Sequence, residues 1–223
     1  MSDSPSRPYA EYVEYPTAEM QLRAEAFAQD ISRRRSVRSF SDTPVPKEII
    51  GQCIAAAASA PSGANRQPWH FVAVANAEVK TKIRIAAEAE EQRFYQERAP
   101  KEWLEALAPL QTDAHKPFLD DAAWLIAVFA QRVLPLADGT QAKNYYVPES
   151  VGIATGFLLA ALHNAGLATL THTPSPMTFL RDLLGRPKSE RAYMLVVAGY
   201  PQDNVEVPDI KRKALSDVAE FWV

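Results

Sequence analysis

The sequence is short of several things, and each shortage removes a class of function. One cysteine in 223 residues rules out an intrachain disulfide and a cysteine-built metal site. That residue, Cys53, lies in the apolar run Ile49–Ala55 and reads as a buried, inert thiol. No stretch approaches the roughly eighteen uninterrupted apolar residues of a membrane span. The polar residues 1–10 carry two prolines and lack the apolar centre of a signal peptide. A soluble, cytoplasmic protein is the expectation. A net charge of −3 gives no global field that would draw nucleic acid or an anionic membrane. There is no repeat, no low-complexity tract and no dinucleotide-binding glycine fingerprint.

What is present is ordinary in bulk and unusual in one place. At 47% hydrophobic and 23% charged residues, the chain can build one core of good size, and a single domain over 1–223 is expected. The unusual place is Arg33–Phe40, where four guanidiniums and two hydroxyls fall within seven residues. A planar fork of donors suits phosphate. A solvated basic helix end would look the same, since cations favour a helix's last turn. In a mildly acidic protein such a cluster suits a small anion better than a polymer.

Along the chain, residues 1–16 read as an extended arm. Thr17 is a plausible N-cap for a helix over 18–34, with Met20, Ala24, Phe27 and Ile31 as its apolar stripe. A second helix over 47–60 ends at Pro61. The loop Pro61–Trp69 has proline near both ends and small residues between, which lets backbone approach a ligand. Strands are expected at 70–75, 124–129, 167–171 and 192–198, the second apolar on both faces and therefore central. Helices are expected over 78–98, 101–110, 149–164 and 177–184. The helix at 149–164 is apolar nearly all round, which predicts burial on every side and so suggests a subunit interface, and Gly152 and Gly156 would let another helix come close. Gly166 supplies its stop. Residues 134–147 read as a loop. The tail from 200 looks like an arm that wraps a partner. His163 and His172 have no partner at metal-ligand spacing, so core packing and loop filling are expected of them, and no metal site.

Taken together, Arg34-Arg35-Ser36-Val37-Arg38, Pro61-Ser62-Gly63-Ala64 with Gln67-Pro68-Trp69, Gly185-Arg186-Pro187 and Gly199-Tyr200-Pro201 resemble the FMN-dependent nitroreductase superfamily. The segments 159–167 and 207–213 are similar to its deiodinase branch. That branch grips its substrate with a Glu, a Tyr four residues later and a Lys twenty-one further on; Glu91, Tyr95 and Lys116 keep this spacing, with Trp103 between them.

The resemblance implies an α+β three-layer sandwich with a central mixed sheet flanked by helices, and a C-terminal strand exchanged in a homodimer. Residues 88–118 would be an active-site lid and 200–223 a C-terminal arm. It implies FMN held at the interface of an obligate homodimer, by residues of both subunits, with Arg34, Arg35, Ser36, Val37, Arg38, Pro61, Ser62, Gly63, Thr171, His172, Thr173 and Arg212 as its contacts. Thr173 would meet the flavin N5 and favour electrons leaving one at a time. Ala64, Glu91, Tyr95 and Lys116 would bind substrate. The implied activity is reductive removal of iodide, or of bromide or chloride, from halotyrosines, with NAD(P)H as donor directly or through a reductase. A general nitroreductase or quinone reductase, and a halotyrosine-binding flavoprotein without turnover, are the alternatives.

Overall fold

A computed structural model describes residues 9–110, 112–136 and 138–223; the first eight residues of the expected N-terminal arm lie outside it. The described chain falls into two compact units that divide after Arg34. The first contains helix α1, Thr17–Ser32. Thr17 is not its cap. Pro16 precedes the first turn at φ −58°, and no side chain caps it. Proline's fixed φ suits this entry, so the helix starts one residue earlier than the Thr17 signal suggests. Its first turns are held by Arg23, which pairs with Glu19 at 2.7 Å and lies 4.1 Å over the Tyr15 ring. No residue of α1 is buried, and the stripe residues Met20 and Phe27 are exposed.

The second unit is built on a four-stranded sheet. In chain order it has α2 (Lys47–Ala58), β1 (Trp69–Val74), α3 (Ala77–Arg93), α4 (Lys101–Leu107), α5 (Phe118–Asp121), β2 (Trp124–Gln131), β3 (Val133–Pro135), β4 (Gln141–Lys143), α6 (Val147–Asn164), β5 (Ala168–His172), α7 (Thr178–Leu183) and β6 (Glu190–Gly199). The sheet order is β1-β2-β6-β5 with antiparallel ladders throughout. Among the described residues its one parallel contact is a bridge between Ser36 and Thr169 at the β5 edge, which makes the sheet mixed.

Alternation along the strands sorts the two faces. Leu125, Ala127, Phe129, Leu195 and Val197 pack with α3, α5 and α7 on one side. Ile126, Val128, Val196 and Ala198 pack with α2 and α6 on the other. The period of two in a strand sends successive side chains to opposite faces, which is why β2 and β6 read as continuous apolar runs and lie innermost. Full burial of each such side chain contributes about 1.5–3 kcal/mol. The result is the expected three-layer sandwich. Cys53 is buried on the α2 side, where loss of water pushes its thiol pKa up, as expected of an inert thiol.

Two expectations need correction, one short helix was not expected, and α6 keeps an open flank in the single chain. The helix expected over 78–98 is α-helical only to Arg93; Phe94–Arg98 form a π-helical turn closed by Ala99 N–H to Phe94 O at 2.8 Å. Pro100 forces Ala99 into extended backbone and stops the helix. Residues 134–147 hold the β3–β4 hairpin, turned by Asp138 and by Gly139 at φ 81°, with Asp138 Oδ1 accepting from Thr140 N at 2.9 Å. Lys116-Pro117 leads into α5, a short helix the sequence pattern does not announce. Finally, α6 is buried on one side only: Val151, Ala154, Leu158 and Leu162 face the core, whereas Ile153 and Phe157 are 42% and 44% exposed. Gly166 ends α6 at φ 82°, with Leu167 N–H reaching Leu162 O at 2.9 Å, as predicted. Among the described residues, no helix is long and apolar enough to cross a membrane.

Candidate active site

The arginine-serine stretch runs along the outer edge of β5. Val37 donates its N–H to Thr169 O at 3.1 Å and buries its side chain in the core. Strand alternation then turns Ser36 and Arg38 the other way, into a cavity of about 520 Å³. Its other walls include Thr112, Asp113 and Phe118 and the C-terminal segment Glu206–Asp209. Arg35 donates to Pro208 O, which ties that segment down. Arg38 is half-buried, and burial lowers its pKa despite an opposing effect of Tyr95. No carboxylate among the described residues pairs with it. A desolvated, unpaired guanidinium at a cavity wall is suited to an anionic ligand. Arg34 closes the first unit, directly before Arg35 in sequence. Arg212 is exposed on the tail, beyond the cavity's described lining.

The three residues singled out by spacing come together. Lys116 is 2% exposed, and its ammonium lies 3.4 Å from Glu91 Oε2. It also donates to Thr112 Oγ1 at 3.1 Å and to Asp113 O. Tyr95 Oη donates to Thr112 O at 3.3 Å, and burial followed by the Glu91 charge raises its pKa. The π-helical turn decides where Tyr95 points, which an ideal helical turn after Glu91 would not. Trp103 stays largely exposed, edge-on to Phe94 at 5.7 Å.

His172 departs from the loop-filling role expected of it. It is the last residue of β5, 8% exposed, with its ring edge-on to Phe118 at 5.7 Å. Burial, then the charges of Lys116 and Arg38, push its pKa down to about 3, so the imidazole is neutral. Among the described residues its Nε2 has no hydrogen-bond partner. The flanking Thr171 and Thr173 are exposed, and Thr173 lines a second cavity of about 460 Å³ with Met177 and Tyr193.

The Pro61–Ala64 loop is elsewhere. Ser62 Oγ accepts from Gln67 N at 2.9 Å, and Ala64 and Asn65 both adopt φ 51°. The loop leads into β1, the far edge of the sheet from β5. Three interstrand spacings, about 14 Å, separate those edges. One chain therefore does not bring Pro61, Ser62, Gly63 and Ala64 to the Ser36–Arg38 edge. Gly63 sits so close to Tyr145 and Tyr146 that an added Cβ would lie 2.9 Å from Tyr145 O and from the Tyr146 ring. Gly63→Ala is therefore expected to lower stability by about 1–3 kcal/mol in urea unfolding, through forced displacement of the start of α6.

A nitroreductase family model matches residues 31–200. The chain belongs to the nitroreductase family. As a member of that family, it is similar to an iodotyrosine deiodinase of Haliscomenobacter hydrossis, 52% identical over 92% of each chain. It is 45% identical to iodotyrosine deiodinase 1 of Homo sapiens, over 92% of this chain and 71% of that one. The crystal structure of oxidised iodotyrosine deiodinase bound to FMN and 3-iodo-L-tyrosine superposes with a TM-score of 0.75 at 29% identity, covering 87% of this chain and all of that one. Sequence reasoning missed Thr112 and Asp113, which hold the Lys116 ammonium, and Glu88, which accepts the Lys116 N–H. Only the lid's return path places them, and no spacing rule announces a backbone carbonyl as a ligand.

Proposed function

We propose that this chain is an FMN-dependent reductive dehalogenase that removes iodide from iodotyrosine and works as a homodimer. The observation that carries the reading is the cluster of buried Lys116 with half-buried Glu91 and Tyr95, Lys116 and Tyr95 both bonded to Thr112, beside a cavity walled by Ser36 and Arg38. A zwitterion entering it exchanges the internal Glu91–Lys116 pair for two new ones, ammonium to Glu91 and carboxylate to Lys116. Tyr95 turns its hydroxyl to the same carboxylate. Both charges already sit in a poorly solvated place, so the exchange favours a ligand that brings both complements.

The donor set suits FMN. Arg34, Arg35, Ser36 and Arg212 can satisfy a dianionic phosphate, with Arg38 placed to stabilise negative charge at the N1/O2 edge. Val37 holds this edge in register. Bound and reduced, FMN supplies the two electrons that, with one proton, replace the carbon–iodine bond by carbon–hydrogen and release iodide. Thr173, which follows Thr171 and His172 at the end of β5, would offer its hydroxyl to N5. Ala64 offers its N–H to the phenolate oxygen, next to Pro61, Ser62 and Gly63 along the ring. Because these residues lie at opposite sheet edges, a complete site needs one edge from each of two chains. The open flank of α6 with Ile153 and Phe157, and the exposed Leu215, Val218, Phe221 and Trp222 of the tail, support that assembly. NAD(P)H, directly or through a reductase, is the expected source of electrons.

The dithionite-reduced, anaerobic holoprotein is expected to convert 3-iodotyrosine to tyrosine and one equivalent of iodide per flavin. Reduction of a nitroaromatic without iodide release would leave only a general reductase. A flavin that stays reduced after iodotyrosine is added would indicate a binding protein. Arg35→Ala is expected to weaken FMN retention ten- to a hundredfold, the effect of about 1.5–3 kcal/mol for one charge-assisted bond, measured by flavin absorbance after gel filtration.

A further inference from the structure

The grip on the Lys116 side chain says nothing about what aims it. Lys116 follows a long excursion from α3 and precedes Pro117, so its backbone must be held for its ammonium to meet Glu91. Glu88 holds it. Its Oε1 accepts the Lys116 backbone N–H at 2.7 Å, and its Oε2 accepts from Arg84 Nη1, also at 2.7 Å. Arg84 in turn binds Asp120 through Nε, and Asp120 Oδ1 accepts from Thr81 Oγ1 at 3.0 Å. Lys80 completes the row, donating to Asp120 O at 2.8 Å and to Ala122 O at 2.7 Å. Four residues of one α3 face thus fasten residues 116–122, and Glu88 is the member that touches Lys116. Its side chain is only 16% exposed, so water competes poorly for that N–H.

We infer that Glu88 is a positioning residue: it never meets substrate, but sets the backbone from which Lys116 presents its charge to the carboxylate of a halotyrosine. This rests on the proposed dehalogenase reading. Glu91, one turn further along α3, lies on the same face, so Glu88 fixes the two ends of the clamp relative to each other. Losing the anchor lets the 112–117 segment drift, which weakens substrates with an amino-acid end and leaves others alone.

The test uses the full-length FMN dimer and three forms, wild type, Glu88→Ala and Glu88→Gln. Glutamine keeps an acceptor for the Lys116 N–H and gives up the charge toward Arg84. Glu88→Ala is expected to raise KM for 3-iodotyrosine about tenfold or more, the usual effect of losing a hydrogen bond to a charged group. Its kcat should stay within about twofold, with flavin content and reduction of a simple quinone unchanged. Glu88→Gln should recover most of the loss. An unchanged KM in Glu88→Ala, a parallel fall of quinone turnover, or a glutamine variant no better than alanine overturns the inference. Hydrogen exchange of the wild-type Lys116 amide needs no variant: it should be slow, and exchange at exposed-loop rates also overturns it. If wild type binds no iodotyrosine, the dehalogenase reading fails instead, and the exchange rate still judges the anchor.

Discussion

Lys116→Ala is expected to weaken binding of 3-iodotyrosine by thirtyfold to several thousandfold while FMN stays bound. Removing one partner of a buried, hydrogen-bonded charge pair costs about 2–5 kcal/mol, and each 1.4 kcal/mol is a factor of ten. Lys116 is 2% exposed, so no water replaces its ammonium in front of a carboxylate. Glu91, 15% exposed at its side chain, would be left as a lone carboxylate in the same place. The free protein then suffers as well, because the lid loses the pair that holds its two ends together. Arginine is no equivalent: the ammonium sits against Thr112 Oγ1 and Asp113 O, a pocket cut for a compact cation rather than a planar fork. Quenching of flavin fluorescence by 3-iodotyrosine measures the effect on the oxidised holoprotein. A 2-iodophenol control, which has no zwitterion, should bind the variant and wild type alike. An unaltered iodotyrosine affinity would remove Lys116 from the site.

A second large effect concerns acid. His172 has a folded pKa of about 3 against an ordinary value of 6.5. Between those values the unfolded chain binds a proton that the folded chain refuses, so stability falls as pH falls through 6.5 toward 3. The slope approaches about 1.4 kcal/mol per pH unit, with about 5 kcal/mol lost across the whole window. Above pH 6.5 the contribution is complete and flat. His172→Phe keeps an aromatic ring against Phe118 and cannot titrate. Urea unfolding at pH 7 and pH 5, at one fixed protein concentration, should show wild type losing about 2 kcal/mol more than the variant. Other acid-sensitive groups act in both proteins and cancel. One is Glu190, whose burial favours the neutral form but whose bonds from Arg186 and Gln131 hold its pKa low. Equal slopes would mean that the imidazole is solvated, contrary to its place under Phe118.

Much of this architecture is local enough to read from residues in order. The unbroken apolar run of β2 placed it at the centre, because a strand's two faces repeat every second residue and both must then be covered. Gly166, Pro61 and Pro100 punctuate helices through their own backbone restrictions, with no help from the rest of the fold. Asp138-Gly139 was a legible turn signal, and the hairpin around it was passed over only because its strands are three residues each. Glu91, Tyr95 and Lys116 stood out by resemblance in spacing, and they do gather.

What no linear pattern contains is where separate segments meet. That His172 lies beneath Phe118, that Glu88 holds the Lys116 backbone, and that Arg38 faces the cavity without a counter-ion all follow from packing between elements far apart in sequence. The same holds for the arginine edge and the Ser62 loop: the resemblance assigns both to one cofactor shared between subunits, but only the sheet order sets them on opposite edges of one chain. Residue types and spacings determined which chemistry this protein can perform, because donors, charges and backbone restrictions are properties of the residues themselves. Burial and neighbourhood, which set pKa values, aim side chains and divide a site between sheet edges, exist only once the chain has packed.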